Sequence, residues 1–404
     1  MSNRNSKQII IDNEIFSFAD LMANPSTYMP KLRPLFRAST LIPRPTDTDE
    51  DFYWRLFYLL YYKRPGYAVN GNATIASNSS TTRRTRRARI IEDDSCQILN
   101  ALGIDVVKHN PKISKVIFKN SGNTYRMKNS DMDKLAEAIK KDTHFNHSDL
   151  DVSIGVELEF CGNRRNLQDF EDAMINLVGK DRFENRGCYN KNKGAKWILG
   201  TDLSLDPRRG YPYSGFELTS PILHFNKKDM DELKAVCECI QNVMEGYVNS
   251  SCGTHVHMSF KCECASEDFC LHFAKSYRYS ESNLFDKLVP KRRQGNNSKW
   301  CRSTSTYYVW SSRYQKLNFN NVKKDSKNMH LEFRQLDGTL DYEKLHSWIK
   351  LQKMFCELTI DSWMESQHSD DEKITRLNLD DIVTCKEFNT NEVESLMKMS
   401  RMVV

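Results

Sequence analysis

The chain has 404 residues, of which 28% are charged and 39% are hydrophobic, and its formal net charge is +6. These values are ordinary for a globular protein large enough for about two domains. They exclude a low-complexity chain, and a net charge this small does not by itself argue for a nucleic-acid partner.

The first 150 residues are predicted to form a smaller N-terminal accessory region. Residues 52–62 are apolar and aromatic and indicate a buried helix, because the run is too short to span a bilayer and contains Arg55. We expect a flexible basic loop at residues 70–92, where an Asn-, Ser- and Thr-rich stretch leads into RRTRRAR at residues 83–89. We favour a solvated loop for that run, although it is also compatible with binding to nucleic acid or to an acidic protein.

The chain start and the cysteines bear on location. The opening residues lack the apolar core of a signal peptide, and twelve cysteines are scattered along the chain. We therefore expect an intracellular, cytoplasmic protein with reduced thiols and no membrane partner.

A hairpin and a helix are predicted at the end of this region. Residues 114–127 read as two strands with a turn at residues 121–123. Residues 129–141 predict a helix, because Met132, Leu135 and Ile139 recur at helical spacing.

Four segments further along the chain alternate polar and apolar side chains, as half-buried strands do. They are residues 152–160 (VSIGVELEF), 215–221 (GFELTSP), 254–260 (THVHMSF) and 331–336 (LEFRQL). Three of them carry polar pairs on one face: Glu157 with Glu159, His255 with His257, and Glu332 with Arg334. If these strands lie in one sheet, their carboxylates converge, repel one another and need cations. The pattern therefore predicts a site for hard divalent metals and a phosphorylated ligand.

Helices and strands alternate irregularly along the rest of the chain. Apolar stripes predict helices at residues 229–247, 266–288 and 341–365. Strands mixed with helices and hairpin-like pairs favour an α+β fold. We expect a motif-bearing domain at residues 151–365 and a C-terminal extension at residues 366–404.

Six pieces follow one another in order along this domain. They are GVELEF (155–160), WILGTDLS (197–204), GFELTSP (215–221), NSSCGTHVHMS (249–259), RYQKLNF (313–319) and HLEFRQLDGTLD (330–341). This order resembles the amidoligase family of ATP-dependent carboxylate–amine ligases, which is related to glutamate–cysteine ligase and glutamine synthetase. The resemblance covers residues 151–352, roughly half of the chain. It departs at Thr254, where the family more often has an apolar residue.

The resemblance implies a curved antiparallel sheet with flanking helices, whose concave face holds ATP and Mg²⁺, with Mn²⁺ as an alternative metal. It implies that the metal ligands are Glu157, Glu159, Glu217, His255 and Glu332. It also implies that His257 and Arg334 act on the transferring phosphate and that Lys316 binds phosphate.

Four further residues lie in matching pieces and are candidates for substrate binding: Trp197, Asp202, Ser220 and Asn318. For Asp202, a role in a turn or helix cap is an equally good interpretation. Trp197 is explained better by packing than by stacking on a substrate.

The chemistry of these residue types agrees with the resemblance. A free carboxylate does not form an amide without activation, and phosphorylation by ATP converts it into an acyl phosphate that an amine can attack. Such phosphoryl transfer needs positioning and charge stabilisation more than covalent help from the protein. The predicted function is therefore ligation of an amine to the carboxylate of a small molecule, peptide or protein. A covering loop is expected at residues 289–304.

Two other functions stay open at this stage. The chain could be a non-catalytic module that binds nucleic acid through residues 83–89. It could also be a scaffold stabilised by zinc, although the spacing matches no common zinc finger. The candidate zinc ligands are Cys252, His255, His257, Cys262 and Cys264.

Overall fold

The computed structural model describes residues 8–11, 14–32, 53, 68–69, 99–100, 102–108, 112–140, 150–187, 194–262, 265–367 and 373–404. Nearly all of the predicted helix at residues 52–62, the whole basic loop at residues 70–92, and Cys264 lie outside the described residues. The chain divides into two compact units, Met1–Arg84 and Thr85–Val404.

The described part of the first unit is small. It consists of β1 (Gln8–Ile11), β2 (Glu14–Ser17), α1 (Phe18–Ala23), α2 (Pro25–Leu32) and β3 (Ala68–Val69). The strands form an antiparallel sheet in the order β2-β1-β3. The hydroxyl of Ser17 accepts a hydrogen bond from the amide of Asp20 at 3.2 Å and so caps α1.

The second unit begins with a three-stranded antiparallel sheet and a helix. The elements are β4 (Ile104–Lys108), β5 (Ile113–Phe118), β6 (Thr124–Lys128) and α3 (Asn129–Lys140), and the strand order is β4-β5-β6. Gly122 adopts a φ of +68° in the turn between β5 and β6. The predicted hairpin and the helix after it are both confirmed.

A larger sheet of eight strands follows. Its strands are β7 (Ser153–Asn163), β8 (Phe183–Asn185), β9 (Trp197–Thr201), β10 (Tyr213–Thr219), β11 (Leu223–His224), β12 (Thr254–Lys261), β13 (Leu317–Asn318) and β14 (Asn328–Phe333). The order is β13-β14-β12-β7-β10-β9-β8, and β11 also pairs with β7. The expected antiparallel sheet needs a correction, because β8 and β9 pair in parallel. Two parallel neighbours cannot be joined by a tight hairpin, because a hairpin pairs its strands antiparallel. The sheet is therefore mixed, and the α+β class is confirmed.

Helices pack against one face of the larger sheet. The remaining helices are α4 (Leu167–Val178), α5 (Lys227–Asn242), α6 (Glu267–Glu281), α7 (Tyr342–Ser366), α8 (Leu379–Thr384) and α9 (Thr390–Met399). Phe260 of β12 stacks on Phe273 of α6 at a centroid distance of 5.9 Å, and Phe333 of β14 meets Phe355 of α7 at 6.2 Å. The apolar residues of the alternating strands thus form the core. Their polar neighbours must lie on the opposite face.

Two of the predicted helices end earlier than expected. α5 stops at Asn242, because Glu245 has a φ of +50° and the amide of Gly246 bonds to the carbonyl of Ile240 at 2.9 Å. α6 stops at Glu281, and a 3-10 turn at Phe285–Leu288 follows it. The predicted helix at residues 341–365 is confirmed by α7. Among the described helices, none has the length and apolar character needed to cross a membrane.

The end of the chain packs on the small sheet of the second unit. The carboxylate of Glu394 in α9 accepts hydrogen bonds from Ser121 at 2.6 Å, Asn123 at 2.9 Å and Tyr125 at 2.7 Å. The amide of Arg126 also donates to the carbonyl of Val404 at 2.8 Å. Residues of the predicted C-terminal extension therefore contact residues of the predicted N-terminal region.

Candidate functional site

The polar face of the eight-stranded sheet lines an open cavity of ≈ 1080 Å³, which we call the site cavity. Glu157 and Glu159 of β7, Glu217 of β10 and His255 of β12 are in its lining, and so is Arg334, which follows β14. Their apolar neighbours along each strand are buried on the other side. Strand alternation thus forces the polar residues toward the cavity.

The strand register places these polar residues side by side. Three cross-strand pairs join them: Glu159 with Glu217, Glu157 with His255, and Glu332 with His257. Directly opposed residues have Cβ atoms about 4.5–5.5 Å apart, so their side chains can contact one another. The predicted convergence of the polar pairs on one surface is confirmed.

The first group that could hold a metal ion consists of Glu157, His257 and Glu332, whose ligand atoms lie within 4.8 Å of one another. The carboxylate of Glu157 accepts hydrogen bonds from Nδ1 of His255 at 2.7 Å and from Nε2 of His257 at 3.0 Å. Nδ2 of Asn318 donates to Glu332 at 2.7 Å. These hydrogen bonds orient both carboxylates.

The second group consists of Glu159, Asp202 and Glu217, whose ligand atoms also lie within 4.8 Å of one another. The amide of Gly253 donates to Glu159 at 2.5 Å. Burial, together with the negative charges of Glu157, Glu159 and Asp202, raises the pKa of Glu217 to about 8. This crowding favours a bound cation, which would relieve the repulsion.

His257 links the first group to a second imidazole. Burial opposes a charge on His257, but the hydrogen bond to Glu157 and the negative charges of Glu157 and Glu332 together outweigh burial and raise the pKa of His257. The same balance operates on Glu157, whose pKa falls well below its usual value because hydrogen bonds from His255 and His257 outweigh burial. Burial and the neighbouring His257 lower the pKa of His330 to about 4. A protonated His257 can thus donate to Glu157 and also to Nε2 of His330, which lies 3.1 Å from Nδ1 of His257.

Arg334 lies beside the first group and is buried. Its guanidinium pairs with Glu332, and its Nε has no hydrogen-bond partner among the described residues. Arg293 supports it from behind, donating to the carbonyls of Arg334 at 3.1 Å and of Cys252 at 3.0 Å. A buried donor without a partner is costly, so the free Nε of Arg334 favours an anionic ligand.

The comparison with protein families bears directly on this site. Residues 150–311 match a family model described as "Putative amidoligase enzyme". The resemblance to the amidoligase family is confirmed over this segment. The matched segment contains all three carboxylates of the second group, whereas Glu332 and Arg334 lie beyond residue 311, where the match ends.

Two solved structures show a weak likeness to the chain. Glutamine synthetase of Plasmodium falciparum is 11% identical with a TM-score of 0.32, and the alignment covers 64% of this chain and 60% of that enzyme. The 3-hydroxy-3-methylglutaryl-coenzyme A reductase of Streptococcus pneumoniae is 10% identical with a TM-score of 0.15, over 70% of this chain and 94% of that one. At these TM-scores, neither likeness identifies a fold or an activity. No curated protein matches the chain significantly.

The expected covering loop borders the site cavity and lies entirely within the matched segment. The loop spans residues 289–304, and most of its lining residues are polar or basic. They are Arg292, Arg293, Asn297, Ser298, Lys299 and Trp300. The loop is therefore in a position to shield a ligand from water.

An ionic cluster holds this loop at its middle and near its end. Nζ of Lys316 pairs with Glu281 and donates to Asp286 at 2.6 Å. Asp286 also accepts from the amide of Gly295 at 2.9 Å, and Glu281 accepts from the hydroxyl of Ser303 at 2.7 Å. Lys316 is completely buried and is not among the residues that line the site cavity, where the sequence had suggested a phosphate-binding role.

The four candidate substrate-binding residues differ in position. Asp202 lines the cavity and also accepts a hydrogen bond from the amide of Ser204 at 2.8 Å, so the turn and the site interpretations both describe it. Trp197 is buried in the core and donates to Glu232 at 2.8 Å. Ser220 is buried and accepts from the amide of Val156 at 2.9 Å. Asn318 acts on Glu332 rather than on the cavity.

Several residues near the site were not predicted from the sequence. Arg293 was marked only by the basic composition of residues 289–304, and His330 begins one of the six pieces but was assigned no role. The partners of Lys316, Glu281 and Asp286, carry no motif.

The zinc alternative includes Cys264, which lies outside the described residues. In the described residues, neither group of potential metal ligands contains a thiol, although the thiol of Cys252 is buried close by.

Proposed function

We propose that the chain is an ATP- and Mg²⁺-dependent carboxylate–amine ligase that forms an amide, peptide or isopeptide bond through an acyl phosphate. One observation carries the proposal: the whole second group, Glu157 of the first group and the buried Arg334 line one cavity, and all of them except Arg334 lie in a segment similar to amidoligases. The proposed cofactor roles rest on the family resemblance together with this geometry.

The residues of the cavity fit a divalent metal and a phosphate. Carboxylate oxygens are the ligands that Mg²⁺ prefers, and Mn²⁺ accepts the mixture of carboxylate and imidazole. We propose that Glu157, Glu159, Glu217, His255 and Glu332 are the metal ligands. Asp202 completes the second group. Bound metal would neutralise the phosphates and polarise the transferring phosphoryl group.

The chain's own residues then supply positioning and charge. The guanidinium of Arg334, which lines the cavity, would meet a phosphate oxygen, and His257 would supply a positive charge near it. The substrate carboxylate takes the terminal phosphoryl group of ATP, and ADP leaves. The amine nitrogen then forms a bond to the acyl carbon, the carbon–oxygen bond to phosphate breaks, and the amine releases a proton. The loop at residues 289–304 keeps water from the acyl phosphate.

The proposal includes the arrangement of the whole chain. Residues 151–365 would form the catalytic domain, with residues 1–150 as an accessory region and residues 366–404 as an extension. The sheet would be curved as in glutamine synthetase and glutamate–cysteine ligase, with the ligands on its concave face. A cytoplasmic location is part of the same proposal.

The test is release of ADP by the purified full chain with Mg²⁺ and ATP, supplied with pools of amino acids, small amines and peptides. We expect ADP in at least one pool and an amide product by mass spectrometry. Glu332→Gln should reduce the rate by at least about 100-fold. Because it also removes the carboxylate that pairs with the buried Arg334, the rate is measured at a temperature at which circular dichroism shows the variant to be folded. The matched control is Glu238→Gln, which neutralises an exposed carboxylate of α5 and should change nothing. Absence of both turnover and binding of Mg²⁺ with ATP would contradict the proposal.

A further inference from the structure

The charges that line the site cavity are separated by depth. Its carboxylates, Glu157, Glu159, Asp202 and Glu217, are all partly buried. Every exposed charged residue in the lining is basic, and we call these residues the basic rim: Arg164, Arg292, Lys299 and Arg313. Within the described residues, none of the four forms an ion pair. The cavity thus has an acidic floor and an uncompensated positive mouth.

The sequence around the basic rim strengthens this charge pattern. Between Asp286 and Asp325 the chain has no acidic residue, while lysines and arginines recur throughout. Trp300, which lines the cavity, is 49% exposed, and the ammonium group of Lys299 lies 4.7 Å from its ring centroid. Exposed aromatic and basic side chains on an acid-free surface attract extended anionic chains.

The backbone that carries part of the rim is held in place. The side chain of Gln294 donates to the carbonyls of Asp286 at 2.7 Å and Val289 at 3.0 Å, and that of Asn297 donates to the carbonyl of Lys291 at 2.8 Å. The loop therefore presents its cations at a fixed place beside the floor. Within the described residues no carboxylate pairs with these cations, so they are available to an anionic ligand.

The size of the cavity leaves room for more than a nucleotide. Its volume of ≈ 1080 Å³ is at the top of the range of about 300–1,000 Å³ that holds one drug-sized ligand. Leu203 also lines the cavity and comes from a segment far from the loop in sequence. It is 93% exposed and offers an apolar contact. A ligand that spans the mouth can therefore use charged and apolar contacts at once.

We propose, resting on the proposed function, that the carboxylate substrate is an acidic peptide segment. One carboxylate of the segment reaches the acidic floor, where the metals bind it, and neighbouring carboxylates pair with the basic rim. The chain of the segment lies against Leu203 and Trp300. We favour a peptide over a single-stranded nucleic acid because the proposed reaction consumes a carboxylate, which a nucleic acid does not offer.

Binding is tested with the full chain in the presence of Mg²⁺ and a non-hydrolysable ATP analogue. The probes are two fluorescein-labelled peptides of equal length, one of alternating Glu and Gly and one of alternating Gln and Gly. We expect the Glu peptide to bind at least about tenfold more tightly. The rim variant Arg164→Ser/Arg292→Ser/Lys299→Ser/Arg313→Ser should bind the Glu peptide about tenfold more weakly than the wild type. Four residues are replaced together because each exposed ion pair contributes little by itself.

A matched control variant removes four basic residues elsewhere on the surface: Lys180→Ser/Lys228→Ser/Lys323→Ser/Lys327→Ser. All four side chains are exposed and lie outside the cavity lining, and the affinity for the Glu peptide should stay within about twofold. An equal loss in the control and the rim variant would overturn the proposal, because only net charge would then matter.

Three further outcomes would overturn it. The first is equal affinity for the two peptides. The second is a rim variant whose affinity for the ATP analogue falls by as much as its affinity for the Glu peptide, because the rim would then bind the nucleotide. The third is displacement of the Glu peptide by oligothymidylate at lower concentration than by unlabelled Glu peptide. Turnover only of substrates whose single carboxylate is the reacting one would contradict this inference and keep the proposed function. Rim-dependent peptide binding without ADP release would do the reverse.

Discussion

Replacing Lys316 by methionine tests whether the buried ionic cluster holds the loop at residues 289–304 in place. The side chains of Lys316 and Glu281 are both fully buried, and Asp286 is partly buried. The substitution Lys316→Met leaves Asp286 without its cation and leaves Glu281 with Arg278 alone. Breaking a buried ion pair on one side costs about 3–5 kcal/mol, because the remaining charge is poorly solvated.

The assay is urea unfolding followed by tryptophan fluorescence. With a denaturant slope of about 3 kcal/mol/M, the expected loss lowers the unfolding midpoint by about 1 M. Native-state trypsin digestion gives a second readout, since the loop contains Lys291 and Arg292 and should be cut faster when its anchor is lost.

Two controls separate this cause from others. Lys316→Met/Glu281→Met replaces the pair by apolar groups and should recover at least half of the lost stability, because the buried carboxylate of Glu281 is gone. Lys324→Met breaks an exposed pair with Glu267 at 3.6 Å and should cost less than about 1 kcal/mol. A loss below about 1 kcal/mol for Lys316→Met, with an unchanged digestion pattern, would refute this account of the loop.

Other changes have expected outcomes that follow from single contacts. Glu217→Gln should weaken Mg²⁺ binding by about 10-fold or more in calorimetry yet leave the metal-free fold at least as stable, because it relieves repulsion among the carboxylates; a marked loss of stability would contradict that. Gly253→Ala should impair binding of Mg²⁺ with ATP, since a Cβ there would lie 2.7 Å from the guanidinium of Arg293 and 3.2 Å from Glu159; wild-type affinity would disprove the tight fit. Hydrogen bonds from Lys398, Ser121 and other neighbours outweigh burial and lower the pKa of Glu394 to about 2. Ionised Glu394 therefore stabilises the fold above its usual pKa of 4.5, and this stabilisation is lost as the pH falls toward 2. Glu394→Gln should therefore cost about 2 kcal/mol at pH 7 and flatten the loss of stability between about pH 4.5 and 2; parallel pH profiles of the two proteins would refute this.

The period-two alternation of four short segments was enough to predict the strands and which side chains face the cavity. A strand has only two faces, so a run such as residues 152–160 leaves little choice once its apolar residues are buried. The order of the six pieces was enough to predict the amidoligase resemblance. Helix ends were less predictable, as α5 shows, because the turn at Glu245 and Gly246 depends on contacts that periodicity does not record.

What only the tertiary structure decided is the partner of each charged group. Lys316 lies two residues from Asn318 in a piece that matches the family, yet it turns into the protein toward Glu281 and Asp286. Arg293 has no signal in the sequence beyond a basic neighbourhood, but it supports Arg334 through its backbone carbonyl. The physical reason is that local spacing fixes the face on which a side chain lies, whereas its partners come from distant parts of the chain that only folding brings within reach.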